Sequence, residues 1–183
     1  GSGSNLCAEC HQPRTVGPKL AGGAPVADST YVSSNRYGPH HGPHSTSLAG
    51  LGAAEIGTGY PAPGTGSAHA TSSNCVTCHM HEGDHSWEPS LASCNTAACH
   101  NGALTSVTDN SRQTTFKTLL TTLESKLKTA GLLDATNAPV KGTYTTEEAA
   151  ALYNYVWLKD DRSNGVHNFP YLERLLTNSI AVL

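Results

Sequence analysis

The residues best suited to chemistry in this sequence are six cysteines, which fall in three pairs. In every pair the second cysteine is followed at once by a histidine. The three segments read Cys7-Ala8-Glu9-Cys10-His11, Cys75-Val76-Thr77-Cys78-His79 and Cys94-Asn95-Thr96-Ala97-Ala98-Cys99-His100. The repeated order of two thiols and an imidazole indicates one shared chemistry for all three segments.

The first two segments have the spacing C-x-x-C-H, which is the attachment signature of haem c. Two intervening residues keep both sulfurs within one turn of chain, facing the two vinyl groups of a porphyrin, and the next residue lies under the iron. The third segment has a longer loop but keeps the order. We therefore expect three covalent haem c groups, attached through Cys7, Cys10, Cys75, Cys78, Cys94 and Cys99, with iron bound by His11, His79 and His100.

Zinc and disulfide bonds are the alternatives for these cysteines. Two of the three pairs would complete a four-cysteine zinc site, but the third pair and the adjacent histidines would then have no role. Disulfides within C-x-x-C are strained and usually redox-active. Both alternatives explain fewer of the residues than haem attachment does.

Three haem irons need three further ligands, unless one iron stays open. Met80 is the single methionine, and it adjoins His79, so it cannot reach the opposite face of the same haem. Bis-histidine ligation is therefore expected, and it favours low reduction potentials. Seven histidines remain for three positions: His40, His41, His44, His69, His81, His85 and His167. In the loop around His40 and His41, one of the two is expected to be a ligand or to orient one, and both should not face the same iron, because adjacent residues of an extended chain point in opposite directions.

The chain divides by composition into two parts. Residues 1–110 are rich in Gly, Pro, Ser, Thr, Ala and His, which predicts a loop-rich haem-binding region. Residues 111–183 carry three amphipathic patterns, which predict helices that pack on the haems and supply a distal histidine. Asp109 or Ser111 is expected to cap the start of the first helix, and Gly131 to end it. The second helix is expected to start with a capping box from Thr145 to Glu148, and the third to start near Asn168. The expected fold is mostly loop with α-helices, with little or no β-sheet, organised by haem as a single domain.

Composition limits the partners. The net charge is -3, only 14% of the residues are charged, and the basic residues form no run, so we expect no nucleic acid partner. No apolar segment approaches the roughly 18–20 residues of a membrane span.

Residues from His69 to His167 resemble the C-terminal half of the pentahaem cytochrome c nitrite reductases. The similarity lies in a histidine six residues before Cys75, the segment ending in His79-Met80, the pair Asp84-His85, a further haem motif, and Gly165-Val166-His167-Asn168 before a terminal helix. Two other segments, 36–41 and 153–155, resemble secreted multihaem cytochromes of metal-reducing bacteria. The C-x-x-C-K motif of the reductase's catalytic haem is missing here, so nitrite reduction is not implied.

The resemblance implies a set of distal ligands. His69 would bind the haem of His100, His167 the haem of His79, and His85 the haem of His11. His40 and His41 would then be spare. Because some secreted relatives polymerise by donating a histidine to the next subunit, either residue is a candidate donor between subunits.

Together these observations predict an electron-transfer protein with no catalytic residues. We expect an extracellular triheme cytochrome that polymerises into a conductive filament and exchanges electrons with other cytochromes or extracellular acceptors. Low charge and abundant Ser, Thr, Gly and Ala suit such a surface. The alternatives are a periplasmic or extracellular electron shuttle, a multihaem reductase with one open iron, and a structural polymer whose haems mainly hold the chain together.

Overall fold

The computed structural model describes residues 5–183 as short helices and loops followed by three longer helices. The elements, in chain order, are α1 (Asn5–Cys10), β1 (Leu20–Ala21), β2 (Ala24–Pro25), β3 (Ser29–Val32), α2 (His44–Ala49), α3 (Ala68–Ser72), α4 (Cys75–His79), a 3₁₀ turn (His81–Gly83), α5 (Leu91–Cys94), α6 (Ser111–Thr129), β4 (Gly142–Thr145), α7 (Thr146–Asp161) and α8 (Phe169–Ala181). The expectation of helices and loops with little sheet is confirmed, since each of the two sheets in this part of the chain has only two strands.

Helices α6, α7 and α8 pack on one another and enclose the hydrophobic core. Helix α6 contributes one stripe, with Phe116, Leu123 and Leu127 buried, as its helical spacing predicts. Helix α7 is buried around most of its circumference, and its Trp157 ring contacts the Tyr171 ring of α8 at 6.3 Å between centroids. The three predicted C-terminal helices are therefore confirmed.

The ends of these helices follow from local hydrogen bonds. Helix α7 begins with the predicted capping box, in which Thr145 accepts from the backbone N–H of Glu148 and the Glu148 carboxylate accepts from Thr145 N–H. The predicted N-cap of α6, Asp109 or Ser111, was wrong, because Asn110 caps the helix by exchanging hydrogen bonds with Gln113. Asn has the short acceptor that an N-cap requires, as Asp and Ser do, so composition alone did not separate the three neighbours.

The loop-rich region is joined to the helices by a strand pair that the sequence did not indicate. Strand β3 runs antiparallel to β4, with Ser29 opposite Thr145 and Val32 opposite Gly142. Thr30 and Thr146 also share a hydrogen bond between their hydroxyls, at 3.0 Å. This pairing fixes the start of α7 against the N-terminal part of the chain.

Buried amide side chains of the helices hold the loops in place. Asn154 of α7 binds both backbone groups of Ala54, accepting from its N–H at 2.9 Å and donating to its carbonyl at 2.7 Å. Asn168, immediately before α8, donates to the carbonyls of Leu48 in α2 and Thr65. Because Asn168 adjoins His167, these bonds connect three segments that carry candidate ligands. Among residues 5–183, no helix has the length and apolarity needed to cross a membrane.

Candidate haem-binding site

The three cysteine segments adopt related turns despite their different lengths. In the first, the backbone N–H of His11 donates to the carbonyl of Cys7 at 2.9 Å. In the third, the N–H of His100 donates to the carbonyl of Cys94 at 3.1 Å, although two more residues intervene. The extra residues form a turn, closed by a bond from Cys99 N–H to the carbonyl of Thr96. The longer segment therefore keeps the same relation between its histidine and its first cysteine.

The second and third segments lie side by side. Helix α4 carries the second, capped by Asn74, and α5 leads into the third, capped by Ser90. The two helices are in contact. Burial raises the pKa of the Cys78 thiol, an effect that the hydrogen bond with Ser73 opposes and the neighbouring thiols of Cys94 and Cys99 reinforce. No disulfide joins any of the six cysteines.

Three histidines are oriented through the same ring nitrogen. Nδ1 of His69 bonds the carbonyl of Val166 at 2.6 Å, Nδ1 of His79 bonds the carbonyl of Trp87 at 2.7 Å, and Nδ1 of His167 bonds the carboxylate of Asp161 at 2.7 Å. Since each ring donates its Nδ1–H to an oxygen acceptor, the lone pair of the neutral imidazole is on Nε2. Histidines that ligate metals are usually fixed in this way by an acceptor behind the ring.

Two pairs of rings, His69 with His100 and His44 with His167, have the separation that a shared metal requires. The ring centroids of His69 and His100 are 5.9 Å apart. A metal–imidazole bond is about 2 Å, so two imidazoles on opposite faces of one metal ion have ring centres roughly 6 Å apart. His69 and His100 are the pair that the resemblance implies for the third segment.

His44 is a candidate ligand that sequence reasoning did not select. Its Nδ1 lies 3.1 Å from Nδ1 of His11, and the two ring centroids are 4.8 Å apart. The N–H and the hydroxyl of Ser45 both bond the carbonyl of His11, which holds the start of α2 against the first segment. Gly42 leaves room for this ring, because a Cβ there would meet the His44 side chain at 2.1 Å.

The surroundings of His44 connect the first segment with the C-terminal helices. Its ring centroid is 5.9 Å from that of His167. Burial lowers the pKa of His44, an effect that the nearby carboxylate of Asp161 opposes. The only sequence signal was that His44 follows His40 and His41 in one loop, which did not distinguish the three.

The other candidate ligands lie at the surface. His85 is exposed, and its ring contacts Trp87 at 5.7 Å rather than His11. His40 and His41 are also exposed and contact each other at 5.5 Å between centroids. Among the ring contacts of the described residues, none joins His79 to His167 or joins these exposed histidines to a histidine of a cysteine segment.

Asp161 is a further residue that sequence reasoning missed. It is the last residue of α7, and its side chain is fully buried. Burial raises its pKa, but the charge of His167 and the hydrogen bonds from His167 and Ser163 outweigh burial and hold the pKa below its usual value. The sequence signal was an acidic residue six positions before a candidate ligand, at a helix end.

The described residues bring candidate ligands together as pairs of imidazoles. Within residues 5–183, no three His, Cys, Asp or Glu side chains are gathered around a common point, whereas a structural zinc site needs four ligands. A haem iron takes only one or two protein ligands, because the porphyrin supplies the others. Pairs of imidazoles beside cysteine pairs match that requirement.

No family model, curated protein or solved structure matches this chain. The arrangement of its own side chains is therefore the basis for a functional assignment.

Proposed function

We propose that this chain is a triheme c-type cytochrome that transfers electrons and has no substrate chemistry of its own. The observation that carries the proposal is the common orientation of His69, His79 and His167, each with Nδ1 bonded to a fixed acceptor and Nε2 free. Such orientation has a clear role if each ring binds iron, beside cysteines that attach a porphyrin. Bound haem would supply reversible one-electron chemistry at iron.

The residues of the chain have distinct tasks in this proposal. The six cysteines hold the groups covalently, and His11, His79 and His100 bind from the side of the attachment segments. His69 would bind the same iron as His100, since their ring separation is 5.9 Å, and His167 would bind the same iron as His79, as the resemblance implies. For the partner of His11, proximity favours His44 over His85; the His11–His44 separation of 4.8 Å is shorter than two ligands of one iron require, so their rings would move apart around a haem.

The haem content and ligation are tested on the full chain, produced in a host that attaches haem c. Intact mass under denaturing conditions should show three covalent haems, and changing both cysteines of one segment to alanine should remove one. Electron paramagnetic resonance of the oxidised protein should show low-spin ferric iron only. A mass without haem would refute the proposal, and a high-spin signal in the parent would favour a reductase with an open iron.

The ligand of the first haem is tested by matched substitutions. His44→Ala should convert one third of the iron to high spin, because it removes one ligand from one haem. His85→Ala should leave the spectrum unchanged. The opposite result would restore His85 as the ligand, and a change with His40→Ala or His41→Ala alone would give the position to the loop before α2.

We also propose that the protein works outside the cytoplasm and assembles with copies of itself, so that electrons pass along a filament. The exposed His40 and His41 support this, because each is available to a neighbouring subunit. Low charge and the abundance of small polar residues suit an extracellular surface. Negative-stain electron microscopy of the undenatured protein should show long threads that are lost when both histidines are replaced. Small particles only would indicate a diffusing electron shuttle.

A further inference from the structure

The buried pair of Asp161 and His167 differs from the supports of the other oriented histidines. His69 and His79 bond backbone carbonyls, which are neutral. His167 bonds a carboxylate, at 2.7 Å between Nδ1 and Oδ1. The Asp161 side chain has no exposed surface, and that of His167 retains 17%. Of the three oriented imidazoles, that of His167 is therefore hydrogen-bonded to a negatively charged carboxylate, which is shielded from water.

The chain is built to hold this charge in place. Ser163 donates its hydroxyl to Oδ2 of Asp161, while His167 occupies Oδ1, so both carboxylate oxygens are bonded. The chain reverses between the two residues through left-handed positions, with φ of 56° at Arg162 and 93° at Gly165. A Cβ on Gly165 would approach Phe116 and Phe169 to about 3.3 Å or less, so glycine suits this close turn.

A carboxylate that accepts a hydrogen bond from a ligating imidazole affects the reduction potential of the metal as well as the basicity of the ring. A charged acceptor makes a stronger hydrogen bond than a neutral carbonyl and raises the basicity of the ligand. A buried negative charge also favours the more positive state of a nearby ion, since water screens it poorly. Both effects stabilise ferric iron over ferrous iron. The neutral carbonyls that accept from His69 and His79 make weaker hydrogen bonds and carry no full charge, so they stabilise ferric iron less.

We propose that Asp161 is a positioning residue that fixes His167 and lowers the reduction potential of the haem that His167 binds. This inference rests on the proposed function. In the reaction one electron from an external redox partner converts ferric to ferrous iron, and no bond to the protein forms or breaks. The carboxylate makes reduction less favourable at the haem that His167 binds than at the haem that His69 binds, so it helps set the order in which the haems are reduced.

The test is a spectroelectrochemical titration of the full, haem-loaded chain. Asp161→Asn keeps the shape and an oxygen acceptor but removes the charge, so one of the three reduction waves should move to a more positive potential. Asp160→Asn is the matched control, because its side chain is adjacent in sequence and carries the same charge but does not bond His167. Asp161→Glu, which keeps the charge, should have a reduction potential closer to that of the parent than Asp161→Asn has.

Ser163→Ala gives a second test if Asp161→Asn does not fold. Loss of the hydroxyl leaves the carboxylate charge less compensated, so the same wave should move to a more negative potential, opposite in sign to the change from Asp161→Asn. Unchanged waves in these variants, or an equal shift with Asp160→Asn, would overturn the inference. Intact mass separates this outcome from failure of the proposed function: three haems with unmoved waves reject only the role of Asp161, whereas a parent chain without haem rejects the cytochrome itself.

Discussion

The two parts of the chain reach order by different means. Of the twenty buried hydrophobic residues in the described chain, only Val32, Ala54 and Ile56 precede residue 111. The other seventeen belong to residues 111–183, and they include Trp157 and Tyr171. The helical part has a core of its own, whereas the part with the cysteine segments has almost none. A region without apolar burial needs another source of order, and three covalent porphyrins would supply a large apolar surface.

The loops also depend on polar bonds from the helices. Tyr153 donates its hydroxyl to the carbonyl of Thr15 at 2.6 Å, and Asn178 donates to the carbonyl of Ile56 at 2.7 Å. Together with Asn154 and Asn168, these side chains bind backbone groups that the loops cannot satisfy internally. The helical part therefore acts as a scaffold that holds the loops in place.

The proposed function predicts its largest effect for removal of the haems, which should affect the two parts unequally. With all six cysteines changed to alanine, amides of residues 5–110 should lose most of their protection from hydrogen exchange, while those of α6, α7 and α8 should keep theirs. The physical reason is that the helices bury their own side chains and the loops do not. Mass spectrometry of exchanged peptides, with the haem-loaded protein as reference, measures the difference. Equal protection in both proteins would show that the loops do not need haem.

A core substitution should sharpen the contrast. Trp157 has no exposed surface, so Trp157→Ala should lower the free energy of unfolding by about 3–5 kcal/mol. Leu91 lies in the loop-rich part and is 38% exposed, so Leu91→Ala should change the free energy of unfolding by no more than about 0.5 kcal/mol. Urea unfolding followed by circular dichroism compares the two variants. Similar losses would mean that Leu91 is buried by a group that the protein alone does not contain, which would assign part of the core to haem.

A smaller effect is expected at the bonds between the two parts. Asn154→Ala leaves the backbone N–H of Ala54 without its partner, at a cost of about 1–3 kcal/mol, whereas the Ala54 carbonyl keeps its bond from Ile56 N–H. Exchange of amides near Ala54 should increase more than exchange within α7. Tyr153→Phe, which removes one hydroxyl, should cost about 1 kcal/mol. If Asn154→Ala loosens α7 instead, the amide serves the helix rather than the loop.

The smallest effect concerns alkaline pH. Burial raises the pKa of Tyr60 and of Tyr153 to about 12, above the usual value of 10.0. A raised pKa means that the folded state holds its proton more firmly, so this stability is complete below about pH 10 and declines as pH rises towards 12. Urea unfolding at pH 8 and pH 11 should show the decline, and Tyr153→Phe should reduce it. If Tyr153→Phe loses as much stability between pH 8 and pH 11 as the parent does, Tyr153 is not a source of the alkaline decline.

Patterns within a few residues predicted much of the architecture. The spacing of Phe116, Leu123 and Leu127 was enough for α6, and Thr145 with Glu148 was enough for the start of α7. The cysteine segments were equally local, and their assignment to haem stays a prediction. The error at the cap of α6 came from three neighbouring residues with similar capping ability, which only the final hydrogen bonds distinguished.

The sequence by itself determined the local turns of the cysteine segments and the three helices, because spacing, capping and amphipathic periodicity act over one or two turns of chain. Only the tertiary structure decided which histidines meet. His11 contacts His44 across 33 residues, and Tyr171 packs on Trp157 only after the chain has turned back. The carboxylate of Asp161 behind His167 depends on a reversal through left-handed residues, and the pairing of β3 with β4 joins Thr30 to Tyr144. Such contacts are selected by packing and loop closure over the whole chain, so no local pattern encodes them.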